Sequence, residues 1–306
     1  MTTVTTVTTA RERAAIRASP RRFVTGDGVG LRVVESGPAQ APVTVVLAHC
    51  WTLDHTVWDG VVDALGPGVR VQRYDHRGHG RSAAAPAGTA TIDRLADDLA
   101  ELITERVPTG NVVLAGHSLG GMTIMALAER HPELVRARVG GLALVATSTG
   151  RLVGFRPRTA KLFLAAENWA GLRTARRDPR RRPLPPVLLR AGLRRTLFGT
   201  SARREDVDKV ITQLAMAHPA SMAGFRGQIL RHSRLAALDV FRELPSAVVV
   251  GDADRLTPVG HARAMARALP DAGFVVFPGV GHMVPVERAD ELAELIAGLV
   301  GEVSHG

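Results

Sequence analysis

Alternation is the feature that most constrains this 306-residue chain. Short, continuous β-branched runs take turns with longer helical patterns. The runs at residues 31–36, 43–49, 69–75, 111–117, 139–147, 246–252 and 274–277 are mostly apolar and bounded by Gly, Pro or Asp. Runs without interleaved polar residues suit strands covered on both faces. Helical stretches lie between them at 92–106, 119–130, 261–269 and 289–299. In the first of these, Ile92, Leu95, Leu99, Leu102 and Ile103 recur at helical spacing and make one apolar face. Strands separated by helices pair in parallel through right-handed crossovers. The expected fold is α/β, a mostly parallel central sheet flanked by helices in three layers.

One interval breaks the rhythm. Residues 149–243 contain no good strand, only helix-like segments at 161–172 and 206–216 around an Arg/Pro-rich stretch. So long a connection between sheet elements is expected to be an inserted helical subdomain. Inserted after a strand's carboxyl end, it overhangs the crevice where α/β sheets bind ligands and acts as a lid. Leu162, Ala165, Ala166, Trp169 and Leu172 form a stripe expected to pack the insertion onto the core. Residues 23–148 and 244–300 then make up the core, and residues 1–22 read as a disordered tail.

Charge and cysteine narrow the functional classes. The net charge is +10, but residues 151–204 hold fifteen basic side chains against two acids, which leaves the rest slightly acidic. No zinc-finger, RRM or basic-zipper pattern accompanies that stretch, so a nucleic-acid partner is not expected. A solvated basic surface is expected instead, with room for weak contact with an anionic surface through Arg176–Arg195. One cysteine, Cys50, excludes an intrachain disulfide and a cysteine-based zinc site. The first residues lack the apolar stretch of a secretory signal, and no run approaches a membrane span. The cytoplasm is the expected compartment, and oligomeric state does not follow from the chain.

Residues 112–121 read as a strand, a Gly-x-Ser-x-Gly turn and the start of a helix, with Ser118 at the centre. A nucleophile elbow needs this arrangement: the turn strains the serine backbone, and glycines on either side let strand and helix approach. A serine hydroxyl is a weak nucleophile and needs a base, itself oriented by an acid. Among the histidines, His117 adjoins the serine but points away. His282 follows the run at 274–277 and a flexible turn, which sets it on the same sheet edge as Ser118. The run at 246–252 ends near two acids, Asp252 and Asp254, and either could orient it.

At this point the chain resembles the α/β-hydrolase superfamily over about residues 23–148 and 244–300. The resemblance rests on the elbow, on His49-Cys50-Trp51 after a strand, on Asp75-His76-Arg77-Gly78-His79-Gly80-Arg81-Ser82, on Gly251 to Pro258 and on Gly281-His282. It implies a triad of Ser118, Asp254 and His282, favouring Asp254 over Asp252. It also implies an oxyanion hole of the Trp51 and Leu119 backbone N–H groups, and no cofactor or metal. Cys50 departs from the family's usual glycine. That residue is expected to be a small buried side chain, the alternative being an altered oxyanion turn or a second nucleophile. The implied activity is hydrolysis of a small-molecule carboxylic ester through an acyl-enzyme, on a small to medium apolar substrate. Thioester, lactone and carbon–carbon hydrolysis and cofactor-free perhydrolysis share the same triad. A ligand-binding protein with little turnover is the further alternative.

Overall fold

In the computed structural model, the structure describes residues 20–150, 186–200, 202–214 and 216–305. Eight strands form one sheet: β1 (Pro20–Val24), β2 (Gly30–Ser36), β3 (Val43–Ala48), β4 (Arg70–Tyr74), β5 (Asn111–His117), β6 (Val139–Val145), β7 (Ser246–Gly251) and β8 (Gly273–Phe277), in the order β1-β2-β4-β3-β5-β6-β7-β8. From β4 to β8 all neighbours are parallel. β1 and β2 are antiparallel to their neighbours. Every residue of β3 and β7 is buried, as their continuous apolar runs require.

The helices that cover the sheet form two groups. α1 (Asp59–Leu65) packs with α10 (Ala289–His305), and α10 touches β3, β5 and β6. α2 (Ile92–Arg106) packs against α3 (Leu119–Arg130), which rests on β3 and β5, and α4 (Pro132–Arg138) follows. All five apolar residues of the α2 stripe are buried. Thr91 caps that helix by accepting from the Arg94 N–H at 3.1 Å.

One boundary differs from the sequence reading. Pro20–Arg22, assigned by sequence to the tail, belong to β1. The polar PRRFV run carries little strand signal of its own, because this edge strand is set by the hairpin it forms with β2, Val24 opposite Gly30. The rest of the expected tail lies outside the described residues, as does the stripe at 161–172.

Within residues 149–243 the described part is helical: α5 (Pro186–Leu197), α6 (Arg204–Leu214) and α7 (Pro219–Arg231). Gly150 pairs with Ser233 in an isolated antiparallel bridge, and the Arg234 N–H donates to the Thr149 carbonyl at 2.6 Å. The interval therefore leaves and returns at one point, beyond β6. Arg234 fixes that point by ion pairs with Glu129 on α3 and Asp93 on α2. Two further helices complete the chain, α8 (Val259–Ala268) and the short α9 (Val284–Glu287). Among the described residues no helix is long and apolar enough to cross a membrane.

Candidate active site

Four strand ends converge on the candidate site. β5 delivers Ser118 through the elbow. Its backbone sits at φ 53°, ψ −111°, a left-handed region that L side chains seldom enter. The surrounding glycines make that turn possible. A Cβ on Gly116 would lie 2.6 Å from the Gly121 nitrogen, and one on Gly120 2.1 Å from the Ala48 carbonyl oxygen. Strand and helix can close to this distance only without side chains. The turn is held by the Ser118 N–H donating to the Val145 carbonyl at 3.0 Å and by the Thr147 hydroxyl donating to the Ser118 carbonyl at 2.6 Å. The Ser118 hydroxyl does not cap α3 and is partly exposed.

β7 and β8 supply a buried pair. His282 Nδ1–H donates to Asp254 Oδ2 at 2.8 Å. That fixes the tautomer and leaves Nε2 with a lone pair. Asp254 is itself tied down: Oδ1 accepts from the N–H groups of Leu256 (2.8 Å) and Thr257 (2.9 Å), and Oδ2 from the Thr257 hydroxyl at 2.7 Å. Burial alone would raise its carboxyl pKa, but the adjoining His282 imidazole and the hydrogen bonds from His282 and Thr257 outweigh it and hold Asp254 below the usual carboxylate value. Asp252, the other acid left open by the sequence, accepts instead from the Gly279 N–H at 2.7 Å and braces the turn before His282.

β3 delivers His49, Cys50 and Trp51. Cys50, Trp51, Ser118, Leu197, Leu256, His282 and Met283 are among the residues that line one small cavity of about 30 Å³. Leu119 is the first residue of α3, so its N–H is one of the amides a helix leaves without an intrahelical acceptor. The Cys50 backbone is not among those at positive φ, which explains why a side chain is tolerated there. Its thiol is buried, and burial pushes its pKa up, away from the thiolate a second nucleophile would need.

Three supporting groups escaped sequence reading. His117 is fully buried, and its Nε2–H donates to the His282 carbonyl at 2.8 Å. Burial pushes its pKa down to about 3, so it stays a neutral donor. Thr257 holds Asp254. Glu287 accepts from the Gly281 N–H at 3.0 Å and the Gly199 N–H at 2.8 Å. The signal for His117 is its place beside the serine; Thr257 holds the Asp254 carboxylate and Glu287 holds two backbone amides, roles that residue type alone does not mark.

The turn after β4 is a structural brace. Arg77, fully buried, is bidentate to Asp98 (2.7 and 2.6 Å) and to Asp27 (2.9 Å twice). Asp75 accepts from the Arg81 N–H at 2.8 Å, and the Ser82 hydroxyl donates back to the Asp75 carbonyl at 2.6 Å. Potential metal-ligand atoms of Asp54, His55 and Asp75 lie within 4.8 Å of one another. Those atoms are already engaged: Asp75 Oδ1 holds both the N–H and Nδ1 of His55, and Asp54 Oδ1 holds the N–H and hydroxyl of Thr56.

Comparison with known proteins gives the family of the fold. A family model described as alpha/beta hydrolase fold matches residues 43–289. A pimeloyl-[acyl-carrier protein] methyl ester esterase from Nitrosomonas europaea is 33% identical over 253 residues, covering 78% of this chain and 88% of that protein. A thermophilic esterase from Thermogutta terrifontis superposes with a TM-score of 0.74 at 27% identity, covering 94% of this chain and 99% of that one. A bromoperoxidase from Bacillus anthracis gives a TM-score of 0.72 at 19% identity, covering 92% of this chain and 100% of that one, a likeness of fold alone.

Proposed function

The chain belongs to the alpha/beta hydrolase family, and from that premise we propose that it hydrolyses carboxylic esters through an acyl-enzyme on Ser118. The observation that carries this reading is the buried Asp254–His282 hydrogen bond opening onto the cavity that Ser118 lines. In the proposed cycle, His282 Nε2 takes the Ser118 proton as Oγ attacks the ester carbonyl. It then hands that proton to the departing alcohol. Asp254 stabilises the imidazolium and keeps its orientation. The N–H groups of Trp51 and Leu119 are assigned to the oxyanion, the second with the partial positive charge of the α3 N-terminus behind it. Water, activated by the same imidazole, then releases the acid and restores Ser118.

The walls favour a small apolar group. Leu53, Leu197, Leu256 and Met283 leave little room over Ser118. We assign the lid role to residues 149–243, with α5 supplying the Leu197 wall. The weak anionic-surface contact proposed for Arg176–Arg195 falls partly outside the described residues; within them, Arg190 is paired with Asp208 at 2.6 Å while Arg194 and Arg195 are exposed. The single cysteine supports the cytoplasm as the working compartment. Turnover of p-nitrophenyl esters from acetate to palmitate, with Ser118→Ala in parallel, tests the function. Serine-dependent turnover that is best on short acyl chains is expected. Failure on every ester would redirect the reading to thioesters, carbon–carbon bonds or binding.

A further inference from the structure

The loop that carries His282 is bonded directly to the end of α5. The N–H groups of His282 and Met283 both donate to the Leu197 carbonyl, at 2.7 and 3.1 Å, and the Thr200 N–H donates to the Gly279 carbonyl at 2.9 Å. Two glycines permit this approach. A Cβ on Gly199 would lie 1.9 Å from the Gly279 oxygen, and one on Gly281 2.4 Å from the Phe198 carbonyl carbon. Two amides at this seam, those of Gly281 and Gly199, turn toward the same side chain. Glu287 takes one on each carboxylate oxygen, Oε1 from Gly281 at 3.0 Å and Oε2 from Gly199 at 2.8 Å. α9 makes the reach possible by folding the chain back, with the Glu287 N–H donating to the Met283 carbonyl at 2.9 Å.

A carboxylate shared by two backbone amides is a charge-assisted link, and here the two amides belong to different parts of the molecule. One adjoins His282; the other lies two residues after Leu197, which walls the cavity over Ser118. We propose that Glu287 is a positioning residue that ties the His282 loop and the α5 wall into one unit. Through it, the orientation of the base is fixed against the wall of the substrate cavity. Thus His282 is held at four points: its N–H by Leu197, its carbonyl by His117, its ring by Asp254, and the N–H of the preceding Gly281 by Glu287. This inference rests on the reading of His282 as the base.

The test compares wild type, Glu287→Gln, Glu287→Ala and Ser118→Ala on p-nitrophenyl acetate, with the rate of fluorophosphonate inactivation and a thermal melt on each. Misplacing a catalytic group by about 1 Å costs about 100-fold. Glu287→Ala is therefore expected to lower kcat and the inactivation rate together by about 10- to 100-fold, with KM changed less than about threefold. Glu287→Gln keeps one acceptor oxygen and should fall between Ala and wild type. A residue that served stability alone would lower the melting temperature and leave both rates of the folded protein intact. Folded Glu287→Gln with wild-type kcat and inactivation rate overturns the inference, even if Glu287→Ala fails to fold. A change confined to KM overturns it too. Wild-type turnover that Ser118→Ala retains would instead overturn the serine reading, and this inference with it.

Discussion

Ser118 occupies a backbone conformation that costs a non-glycine residue about 1–3 kcal/mol. Only a function for its side chain justifies keeping serine there. Ser118→Gly should therefore raise the unfolding free energy by about 1 kcal/mol in urea titrations while abolishing ester turnover. A destabilised glycine variant would contradict the strain account. The flanking glycines work in the opposite sense. Gly120→Ala would drive a Cβ to 2.1 Å from the Ala48 oxygen, and a loss of several kcal/mol, seen as a lowered melting temperature, is expected. The two acids after β7 separate cleanly at this scale. Asp254→Asn removes the group that orients His282 and should lower kcat by orders of magnitude. Asp252→Asn keeps an oxygen that can accept from the Gly279 N–H and should cost far less.

At the scale of elements, the wall contributed by α5 should set substrate size. Leu197→Ala widens the cavity over Ser118, so the best acyl chain in a p-nitrophenyl ester series should lengthen. An unchanged optimum would place the size limit elsewhere. Elements also show what the sequence makes legible. β3, β5 and β7 announce themselves because strands buried on both faces must be apolar throughout. α2 does so because its five core residues keep helical spacing. β1 does not, since an edge strand reading PRRFV is defined by its partner rather than by its own composition. Ser118 and His282 are legible from their places at strand ends, whereas the residues alone leave Asp252 and Asp254 open, and only the folded chain shows Asp254 bonded to His282 and Asp252 to Gly279. Thr257 and Glu287 carry no such signal: Thr257 acts within its own turn on Asp254, and Glu287 joins a nearby amide to one 88 residues away that only the folded chain brings near.

Across the whole molecule, the interior holds an unusual set of neutral imidazoles. His49, His76, His79, His117 and His232 are all buried. Burial lowers every one of them from the free-ring value of 6.5, to about 4 for His79 and His232 and about 3 for His117. Between 6.5 and those values the unfolded chain binds protons that the folded chain refuses. Stability is therefore full above pH 6.5 and drains as pH falls, at up to about 1.4 kcal/mol per pH unit for each such histidine. Urea titrations at pH 7, 6 and 5 should show the unfolding free energy dropping steeply, and His79→Gln should flatten the slope. A flat profile would contradict the burial of neutral rings.

The account stands or falls on Ser118 as a nucleophile activated by the Asp254–His282 pair. The most direct measurement is fluorophosphonate labelling followed by peptide mass mapping, in wild type, Ser118→Ala, Asp254→Asn and Asp252→Asn. The account predicts one adduct on the peptide containing Ser118, none in Ser118→Ala, strongly slowed labelling in Asp254→Asn and nearly normal labelling in Asp252→Asn. An unlabelled Ser118 peptide, or labelling that depends on Asp252 and not on Asp254, would contradict it.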